Sequence, residues 1–281
     1  MLDKISLGTV QFGLEYGINN TKGQTTRDEV SKILNRCEKV GIVHIDTAAA
    51  YGSAEDVLGE VIQSEGLSNS FQITTKCKGD GINNLSFSTR ESLQKLRVEK
   101  LHCQMFHSYQ DFKNTEDFIK PDSVDKIGVS VYTNEELLDS INDPKIRVAQ
   151  CPFNLLDNHS VRGESLKMAK EKGVEIQVRS AFLQGLFFMD RNSLPLKLIE
   201  LKDPLEKLDS ICIENKTSMS QLALCYCLSK DYIDKVVIGV DSLEQLNLNI
   251  DAIKTPIPNH IIEEIDKIIV TNQSLLNPTN W

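Results

Sequence analysis

Short apolar runs and amphipathic stretches alternate along the whole chain. Most of the apolar runs consist almost entirely of β-branched or other apolar residues, which is typical of strands that are covered on both faces. Eight such runs occupy residues 5–9, 42–46, 71–76, 101–107, 126–130, 147–150, 174–179 and 235–239. The pattern therefore predicts eight strands with helices between them.

The amphipathic stretches carry signals for the starts and ends of helices. Within residues 25–29, two threonines precede Asp28 and Glu29, as at a capped helix N-terminus. Gly41 and Gly173 follow helical patterns, where a left-handed residue ends a helix. Helices are predicted at 53–62, 88–96, 133–141, 218–228 and 242–253, with a short one inside 108–125 and an extra C-terminal one at 260–269.

Eight strands, each followed by a crossover, predict an α/β fold of the (β/α)8 TIM-barrel class rather than an open sheet. No glycine-rich dinucleotide fingerprint follows the first predicted strand. Residues 180–215 are expected to form a long loop after strand seven, on the face where barrels place their active sites. We expect a single domain over residues 1–281.

Polar residues end several of the predicted strands. Asp46, Lys76 and His107 end three consecutive strands, about one strand–helix unit apart, and Tyr51 follows Asp46 in a loop of small residues. Asp46 and Lys76 can pair, and an ammonium beside a tyrosine favours the phenolate. Tyr51 could then donate a proton to a developing alkoxide, with His107 as a second donor to the same oxygen. A carbonyl polarised in this way needs a hydride, which implies a redox cofactor.

Each of these residues also has a structural explanation. Asp46 and Lys76 could form an ion pair without a catalytic role, and a lone His107 is more often a core histidine. A metal site built on Asp46 and His107 is disfavoured because Lys76 would place a cation there, so no metal is predicted. Arg179 could merely pair with an acid, and residues 184–185 could form only a turn.

Composition narrows the classes of function. Hydrophobic residues make up 40% of the chain and charged residues 25%, as in ordinary globular proteins. The net charge of −9 disfavours nucleic acid or an anionic membrane as a partner, and no apolar run is long enough to span a bilayer. The seven cysteines form no CxxC pair, which favours buried thiols in a reducing compartment. With no secretion signal at the N-terminus, we expect a cytoplasmic protein.

Longer motifs surround the polar strand ends. They are LGTVQFG at 7–13, GIVHIDTAAAYGSAE at 41–55 with Leu58-Gly59, IGVS at 127–130, QCPFNL at 150–155, and Ile238-Gly239 through Gln245 and Asn249. Together these motifs resemble the aldo-keto reductase family, over nearly the whole chain and with every strand in order. The resemblance implies an NAD(P)H-dependent oxidoreductase that reduces an aldehyde or ketone to an alcohol.

The same resemblance implies roles for individual residues. Tyr51 would be the general acid, Lys76 and Asp46 the pair that tunes it, and His107 the residue that orients the carbonyl. The carboxamide of the nicotinamide is expected near Ser130 and Gln150, the pyrophosphate under the loop that follows strand seven, and the adenosine along the segment that follows strand eight. The implied cofactor-binding residues are Gly8, Thr9, Asp46, Ser130, Gln150, Arg179, Ser180, Phe182, Gln184, Gly185, Gly239, Asp241, Gln245 and Asn249.

Three positions depart from the pattern that is common in the family. Val131 stands where many relatives have asparagine, and Arg179 where many have a tyrosine that stacks on the nicotinamide. Gln245 stands where many have the basic residue that binds the 2′-phosphate of NADP(H). Family habit nevertheless favours NADP(H), with NAD(H) as the alternative.

Two other functions are left open. One is a cofactor-binding regulatory or subunit protein with little turnover, and the other is a sugar dehydrogenase that runs in the oxidative direction. The presence of both Tyr51 and Lys76 favours the enzyme. The expected partner is a small-molecule carbonyl or alcohol substrate, and no oligomeric state is predicted.

Substrate specificity is expected from the loops at 12–25, 108–125 and 186–203, with Trp281 across the mouth of the barrel. The polar residues at 19–24 are compatible with a hydroxylated, sugar-derived substrate. Five aromatic residues could form an apolar rim or belong to the core: Phe12, Tyr16, Phe153, Phe187 and Phe188.

Overall fold

The computed structural model describes residues 1–18, 20, 23–78, 85–115 and 118–281. Eight parallel strands close into a barrel in chain order, and β1 pairs with β8. The strands are β1 Ile5–Gly8, β2 His44–Asp46, β3 Gln72–Cys77, β4 Leu101–Phe106, β5 Val124–Ser130, β6 Ile146–Pro152, β7 Glu175–Arg179 and β8 Lys235–Gly239. The predicted barrel is confirmed, and each predicted strand lies within two residues of the observed one at either end.

Apolar side chains stabilise the barrel both inside it and around its outer surface. A small cluster of Cys103, Met105 and Val148 lies inside it, on the face that these residues share through the registers of β4, β5 and β6. The larger core lies between the strands and the surrounding helices. The strands are therefore covered on both faces, which explains their nearly continuous apolar sequences.

Helices separate the strands and pack outside them. They are α1 Val10–Gly13, α2 Arg27–Val40, α3 Ala54–Ser64, α4 Leu85–Leu96, α5 Tyr109–Lys113, α6 Asn134–Ser140, α7 His159–Glu171, α8 Lys202–Glu214, α9 Met219–Ser229, α10 Leu243–Ala252 and α11 Asn259–Asp266. The predicted caps form: the side chain of Thr26 accepts from Glu29 N, and Gly41 ends α2 with φ 80°. Gly173 follows α7 with φ 75°.

The segment after β7 is more ordered than the sequence analysis expected. Residues 180–215 contain three 3₁₀ segments and the 13-residue helix α8. One face of α8 is buried through Leu205, Leu208 and Ile211. This spacing of apolar residues is typical of a helix, so the prediction of a loop here was wrong for residues 202–214. The extra C-terminal helix forms as predicted but ends at Asp266. Within the described ranges, no helix is long and apolar enough to cross a membrane.

Candidate active site

The four residues predicted to be catalytic meet at the carboxyl ends of β2, β3 and β4. Asp46 is the last residue of β2, Lys76 lies near the end of β3, and His107 directly follows β4. The parallel register of these strands brings the three ends to one rim. Tyr51 reaches the same rim from the loop after β2. The structure therefore brings together all four side chains that the sequence singled out.

Lys76 and Asp46 form a buried ion pair. Lys76 Nζ lies 2.6 Å from Asp46 Oδ1, and the two side chains are 2% and 4% exposed. The ammonium also donates to the carbonyl oxygen of Thr47 and lies 3.5 Å from the hydroxyl of Tyr51. Burial by itself would lower the pKa of Lys76, but the charge of Asp46 and the contact with Tyr51 outweigh it and raise that pKa. Lys76 therefore stays a cation beside the phenol.

The loop that carries Tyr51 is held by main-chain packing. An added Cβ at Gly13 would lie 1.8 Å from the carbonyl oxygen of Tyr51. Gly52 has φ 56°, and a Cβ there would lie 2.4 Å from the carbonyl oxygen of Gly13. Only glycine allows the two backbones to approach so closely, and only glycine adopts this φ without strain. α1 thus fixes the position of Tyr51 through its last residue, Gly13.

His107 is a neutral imidazole in the cavity wall. Its ring meets the ring of Tyr51 edge to face, with 5.8 Å between centroids. Burial, and then the charge of Lys76, lower the pKa of His107 to about 4. Its Nδ1 atom is buried and has no hydrogen-bond partner among the residues that the structure describes. A neutral imidazole carries one donor and one acceptor, so His107 can bind a polar group of a ligand at neutral pH.

A cavity of about 720 Å³ opens over these residues. Its volume falls in the range of small-molecule and cofactor sites. Every residue that the sequence analysis assigned to cofactor binding lines it, together with Tyr51, Lys76 and His107. The residues that were assigned and that line the cavity are Gly8, Thr9, Asp46, Ser130, Gln150, Arg179, Ser180, Phe182, Gln184, Gly185, Gly239, Asp241, Gln245 and Asn249.

Other residues that the sequence motifs do not single out also line the cavity. Gln11 and Tyr132 also line the cavity, and their places just after β1 and β5 were a signal that could have found them. Pro278 and Thr279 line it from the C-terminal tail, and no sequence pattern marks them. Trp281 does not line the cavity, contrary to expectation, because its Nε1 donates to the carbonyl oxygen of Leu275.

The expected apolar rim is only partly present. Phe12, Phe153 and Phe187 are buried in the core at 0%, 0% and 1% exposure and do not line the cavity. Tyr16 and Phe188 do line it. In the polar loop after β1, Asn20 lines the cavity. The amide of Gln24 instead donates to Phe12 O and Ser53 Oγ, and residues 19, 21 and 22 lie outside the described residues.

Arg179 ends β7 and faces the cavity. Its guanidinium carbon lies 4.3 Å from the centre of the Tyr132 ring, and Nη2 donates to the carbonyl oxygen of Val131 across 3.4 Å. Over residues 1–18, 20, 23–78, 85–115 and 118–281, Arg179 has no carboxylate within ion-pair distance. Within these residues Arg179 therefore does not form an ion pair with an acid, which was the alternative role suggested by the sequence. Val131 is fully buried and contributes only its main chain here.

The loop after Arg179 holds an unusual backbone. Ser180, Leu183 and Gln184 have φ of 63°, 46° and 54°, although none of them is glycine. Such strain persists only where the surroundings impose it. Gln184 Nε2 donates to the hydroxyl of Tyr16 across 2.7 Å, and the amide of Ile18 donates to Gln184 O. Residues 184–185 are therefore more than a turn: they join the loops after β1 and β7 beside the cavity.

Two buried side-chain amide oxygens in the cavity wall can accept hydrogen bonds from a ligand. Gln150 Oε1 and Gln11 Oε1 are buried and lack a hydrogen-bond partner within the described part of the chain. A buried acceptor without a donor is costly, and a carboxamide group bound in the cavity could supply the donor. The wall therefore fits the amide end of a nicotinamide. No group of three or more metal-ligating side chains occurs among the described residues.

Comparison with known proteins agrees with the fold. The sequence model of the Aldo/keto reductase family matches residues 4–270. A probable voltage-gated potassium channel subunit beta of Oryza sativa subsp. japonica is 23% identical, over 93% of each chain. The L-glyceraldehyde 3-phosphate reductase of Escherichia coli (strain K12) is 23% identical, over 79% of this chain and 78% of its own.

Solved structures show the same architecture. An aldo-keto reductase from Bacillus halodurans, in its holo form, superposes with a TM-score of 0.71 at 19% identity and covers 96% of this chain and 94% of that one. The family model spans nearly the whole barrel, and relatives are named reductases and oxidoreductases. This chain therefore belongs to the aldo/keto reductase family, a family of oxidoreductases that generally use NAD(P)H.

Proposed function

We propose that this chain reduces an aldehyde or ketone to an alcohol at the expense of a nicotinamide cofactor, with Tyr51 as the general acid. The observation that carries the proposal is the 3.5 Å contact between the Tyr51 hydroxyl and Lys76 Nζ in the wall of the cavity. We also propose that residues 1–281 act as one catalytic domain, since β1 and β8 pair to close the barrel.

Proton transfer is assigned to Tyr51. As the carbonyl oxygen gains charge, the phenol donates its proton to that oxygen and becomes a phenolate. Lys76 stabilises the phenolate as a neighbouring cation. Asp46 keeps Lys76 in place and charged, through the 2.6 Å contact between Oδ1 and Nζ. In this assignment Asp46 positions the cation and does not touch the substrate.

Orientation of the carbonyl is assigned to His107. The imidazole is neutral at pH 7 because its pKa is lowered to about 4. Its N–H can donate to the carbonyl oxygen, so that this oxygen receives one hydrogen bond from His107 and one from Tyr51. Donors held in place before the reaction stabilise the developing charge without reorganising.

The proposed cofactor site follows the lining of the cavity. The carboxamide of the nicotinamide would be bound by Ser130 and Gln150, the pyrophosphate by the loop from Arg179 to Gly185, and the adenosine by the segment 239–249, with Gly8 and Thr9 along the path. The cofactor, when bound, supplies the hydride to the carbonyl carbon. The family resemblance favours NADP(H), with NAD(H) as the alternative.

The proposed substrate is a small carbonyl compound, with sugar-derived carbonyls as the first candidates. Tyr16 and Phe188 give its site an apolar side, and Asn20 gives a polar one. The E. coli relative is named for a phosphorylated aldehyde, L-glyceraldehyde 3-phosphate. The same residues catalyse the reverse reaction, so the oxidative direction is a second candidate.

A subunit role with little turnover is the other alternative, and the name of the rice relative supports it. The intact contact between Tyr51 and Lys76 favours the enzyme.

The test is carbonyl-dependent oxidation of the reduced cofactor by the purified chain, followed by absorbance. A panel of simple aldehydes and keto-sugars is offered with NADH and, separately, with NADPH. The expected result is turnover with at least one carbonyl that is lost in the Tyr51→Phe variant. Tight cofactor binding without turnover on any carbonyl, and without oxidation of the corresponding alcohols, would favour the subunit role instead.

A further inference from the structure

Arg179 is a cation in the wall of the cavity that no acidic side chain balances. The cationic side chains in the described lining are Lys76 and Arg179. Lys76 is paired with Asp46, so these two residues carry no net charge together. Arg179 has no such partner over the described ranges. The described lining contributed by β2 to β7 and the loops after them therefore carries one net positive charge.

The guanidinium of Arg179 lies toward the carbonyl site and away from β8. It lies over the ring of Tyr132 and donates to Val131 O. Both of these residues follow β5, which lies on the same side of β7 as β4, whereas β8 lies on the other side. Burial and the charge of Lys76 lower the pKa of His107, which follows β4, and the charge of Arg179 acts in the same direction. The cation therefore lies on the side of the cavity where we propose that the carbonyl binds.

The guanidinium has more donors than the protein uses. It carries five N–H groups, and Val131 O is its one hydrogen-bond acceptor within the described part of the chain. The side chain is half-buried, and a charge withdrawn from water is costly when it has no partner. A planar guanidinium binds a carboxylate or a phosphate through two parallel hydrogen bonds. The remaining donors of Arg179 therefore suit an anionic group of a ligand.

The aromatic ring beneath Arg179 is fixed before any ligand binds. The amide of Tyr132 donates to Glu136 Oε2 across 2.7 Å. Glu136 also forms the capping box with Thr133 that begins α6. Tyr132 is thus tied to the N-terminus of this helix and keeps the guanidinium in place. A cation that is already held in position loses less freedom when it binds an anion, which increases the affinity.

We propose that the substrate is a carbonyl compound that carries a carboxylate or a phosphate, and that Arg179 determines this specificity by binding the anionic group. The proposal rests on the proposed function, since it names the substrate class of the same site. The pyrophosphate of the cofactor is also an anion, and the loop from Arg179 to Gly185 is proposed to bind it. The side chain of Arg179 lies toward β5, which leaves the residues after it for the pyrophosphate. The experiments below separate these two anions.

Two pairs of aldehydes that differ in charge test the substrate class. Succinic semialdehyde is compared with butanal, and glyceraldehyde 3-phosphate with glyceraldehyde, each with the reduced cofactor. We expect the anionic member of at least one pair to have a kcat/KM at least about tenfold higher, as charge-assisted hydrogen bonds can supply. The pair that shows the preference identifies the anion as a carboxylate or a phosphate. Turnover without a preference in either pair would overturn this proposal alone, whereas no turnover with any carbonyl would overturn the proposed function together with it.

Three variants assign the preference to Arg179. In Arg179→Met, the ratio of the two kcat/KM values should fall at least about tenfold, chiefly through a higher KM for the anionic aldehyde. Arg179→Lys keeps a cation without the planar fork and should retain part of the ratio. Arg90→Met is the matched control, because Arg90 also lies over an aromatic ring, 5.7 Å from the centre of Phe87, but belongs to α4 and does not line the cavity. We expect it to change the ratio by no more than about twofold.

Fluorescence titration of each variant with the reduced cofactor separates the substrate anion from the pyrophosphate. Binding of the substrate anion by Arg179 predicts that the charge preference is lost in Arg179→Met, whatever happens to the cofactor. An equal loss of kcat/KM for the charged and the neutral aldehyde, together with a higher dissociation constant of the cofactor, would assign Arg179 to the pyrophosphate and overturn the proposal. An unchanged ratio in Arg179→Met would overturn it as well.

Discussion

Gln150 Nε2 donates to Asp46 Oδ2 across 2.7 Å. The two residues belong to β6 and β2, which lie four strands apart in the eight-stranded barrel and so face each other across it. Asp46 therefore has Lys76 on one oxygen and Gln150 on the other. The residue that we propose as a ligand of the nicotinamide carboxamide also supports the ion pair that holds Lys76 beside Tyr51.

Replacing Gln150 with methionine should affect both the empty protein and cofactor binding. Asp46 Oδ2 would lose its donor inside the barrel, and an unsatisfied buried acceptor costs about 1–3 kcal/mol of unfolding free energy. The dissociation constant of the cofactor should rise as well. Urea unfolding of the cofactor-free protein and fluorescence titration measure the two effects. Gln104→Met is the control, since Gln104 is a buried glutamine on β4 that accepts from Thr89 and does not line the cavity. Unchanged stability of the Gln150→Met variant would show that Gln150 does not support Asp46.

Tyr51→Phe should lower turnover at least about hundredfold, the lower end for a general acid. The ring and its packing on His107 remain, so cofactor affinity should change by no more than about twofold. Steady-state kinetics and a fluorescence titration check this pair of outcomes. Tyr109→Phe serves as the control, because it removes a phenolic hydroxyl that bonds to Asp139 away from the cavity. Near-normal turnover in Tyr51→Phe would reject Tyr51 as the acid.

Gly13→Ala should reduce turnover from outside the cavity. Its methyl group would push on the carbonyl oxygen of Tyr51 and on the amide of Ala54, and a displacement of about 1 Å at a reacting group can cost up to about hundredfold. Gly66→Ala is the control, since Gly66 has φ 71° and no atom within 4 Å of an added Cβ. The control should lose about 1–2 kcal/mol of stability and keep its turnover. Equal turnover of the two variants would remove the positioning role of Gly13.

Lys76→Met should destabilise the protein by about 3–5 kcal/mol, because it leaves the buried carboxylate of Asp46 without a partner. The double variant with Asp46→Asn should be more stable than Lys76→Met alone, although both should lack turnover. Denaturant unfolding of the four proteins in the cycle measures the coupling. The exposed pair of Lys254 and Asp251, 69% and 62% exposed, gives the contrast, since Lys254→Met should cost less than about 1 kcal/mol. Strictly additive losses at Asp46 and Lys76 would contradict a coupled pair.

Stability should fall in mild acid because two histidines resist protonation in the folded state. Burial first, and then Lys235 for His44 and Lys76 for His107, lower each pKa from 6.5 to about 4. The unfolded chain takes up these protons below pH 6.5 and the folded chain only near pH 4. Unfolding free energy is therefore lost between those values, by at most about 1.4 kcal/mol per pH unit for each histidine.

Urea unfolding at several pH values between 4 and 7 measures this slope. His44→Asn should flatten it without changing the residues of the cavity, since His44 does not line it. An identical slope in the wild type and in the His44→Asn variant would contradict the assignment to His44.

The barrel and the cluster of candidate catalytic residues could be predicted because their signals are local. Most of the apolar runs end in a polar residue, and parallel strands in a barrel bring such ends to one rim. Asp46, Lys76 and His107 are therefore predicted together from their spacing. α8 had a local signal too, in the spacing of Leu205, Leu208 and Ile211. It was missed because the stretch after β7 was interpreted as a loop.

The sequence by itself determined the order of the strands, the rim on which they end and many of the polar residues that line the cavity there. Only the tertiary structure decided which aromatic residues face that cavity, since Phe12 and Phe188 are alike in chemistry and differ only in where the loops fold. It also placed Glu29 on Leu243, which lies 214 positions further along the chain. In the sequence, Glu29 is one acid at the start of α2. Because a hydrogen bond depends on distance in space, the acceptor that the first amide of α10 finds is set by folding and not by the neighbours of Glu29 along the chain.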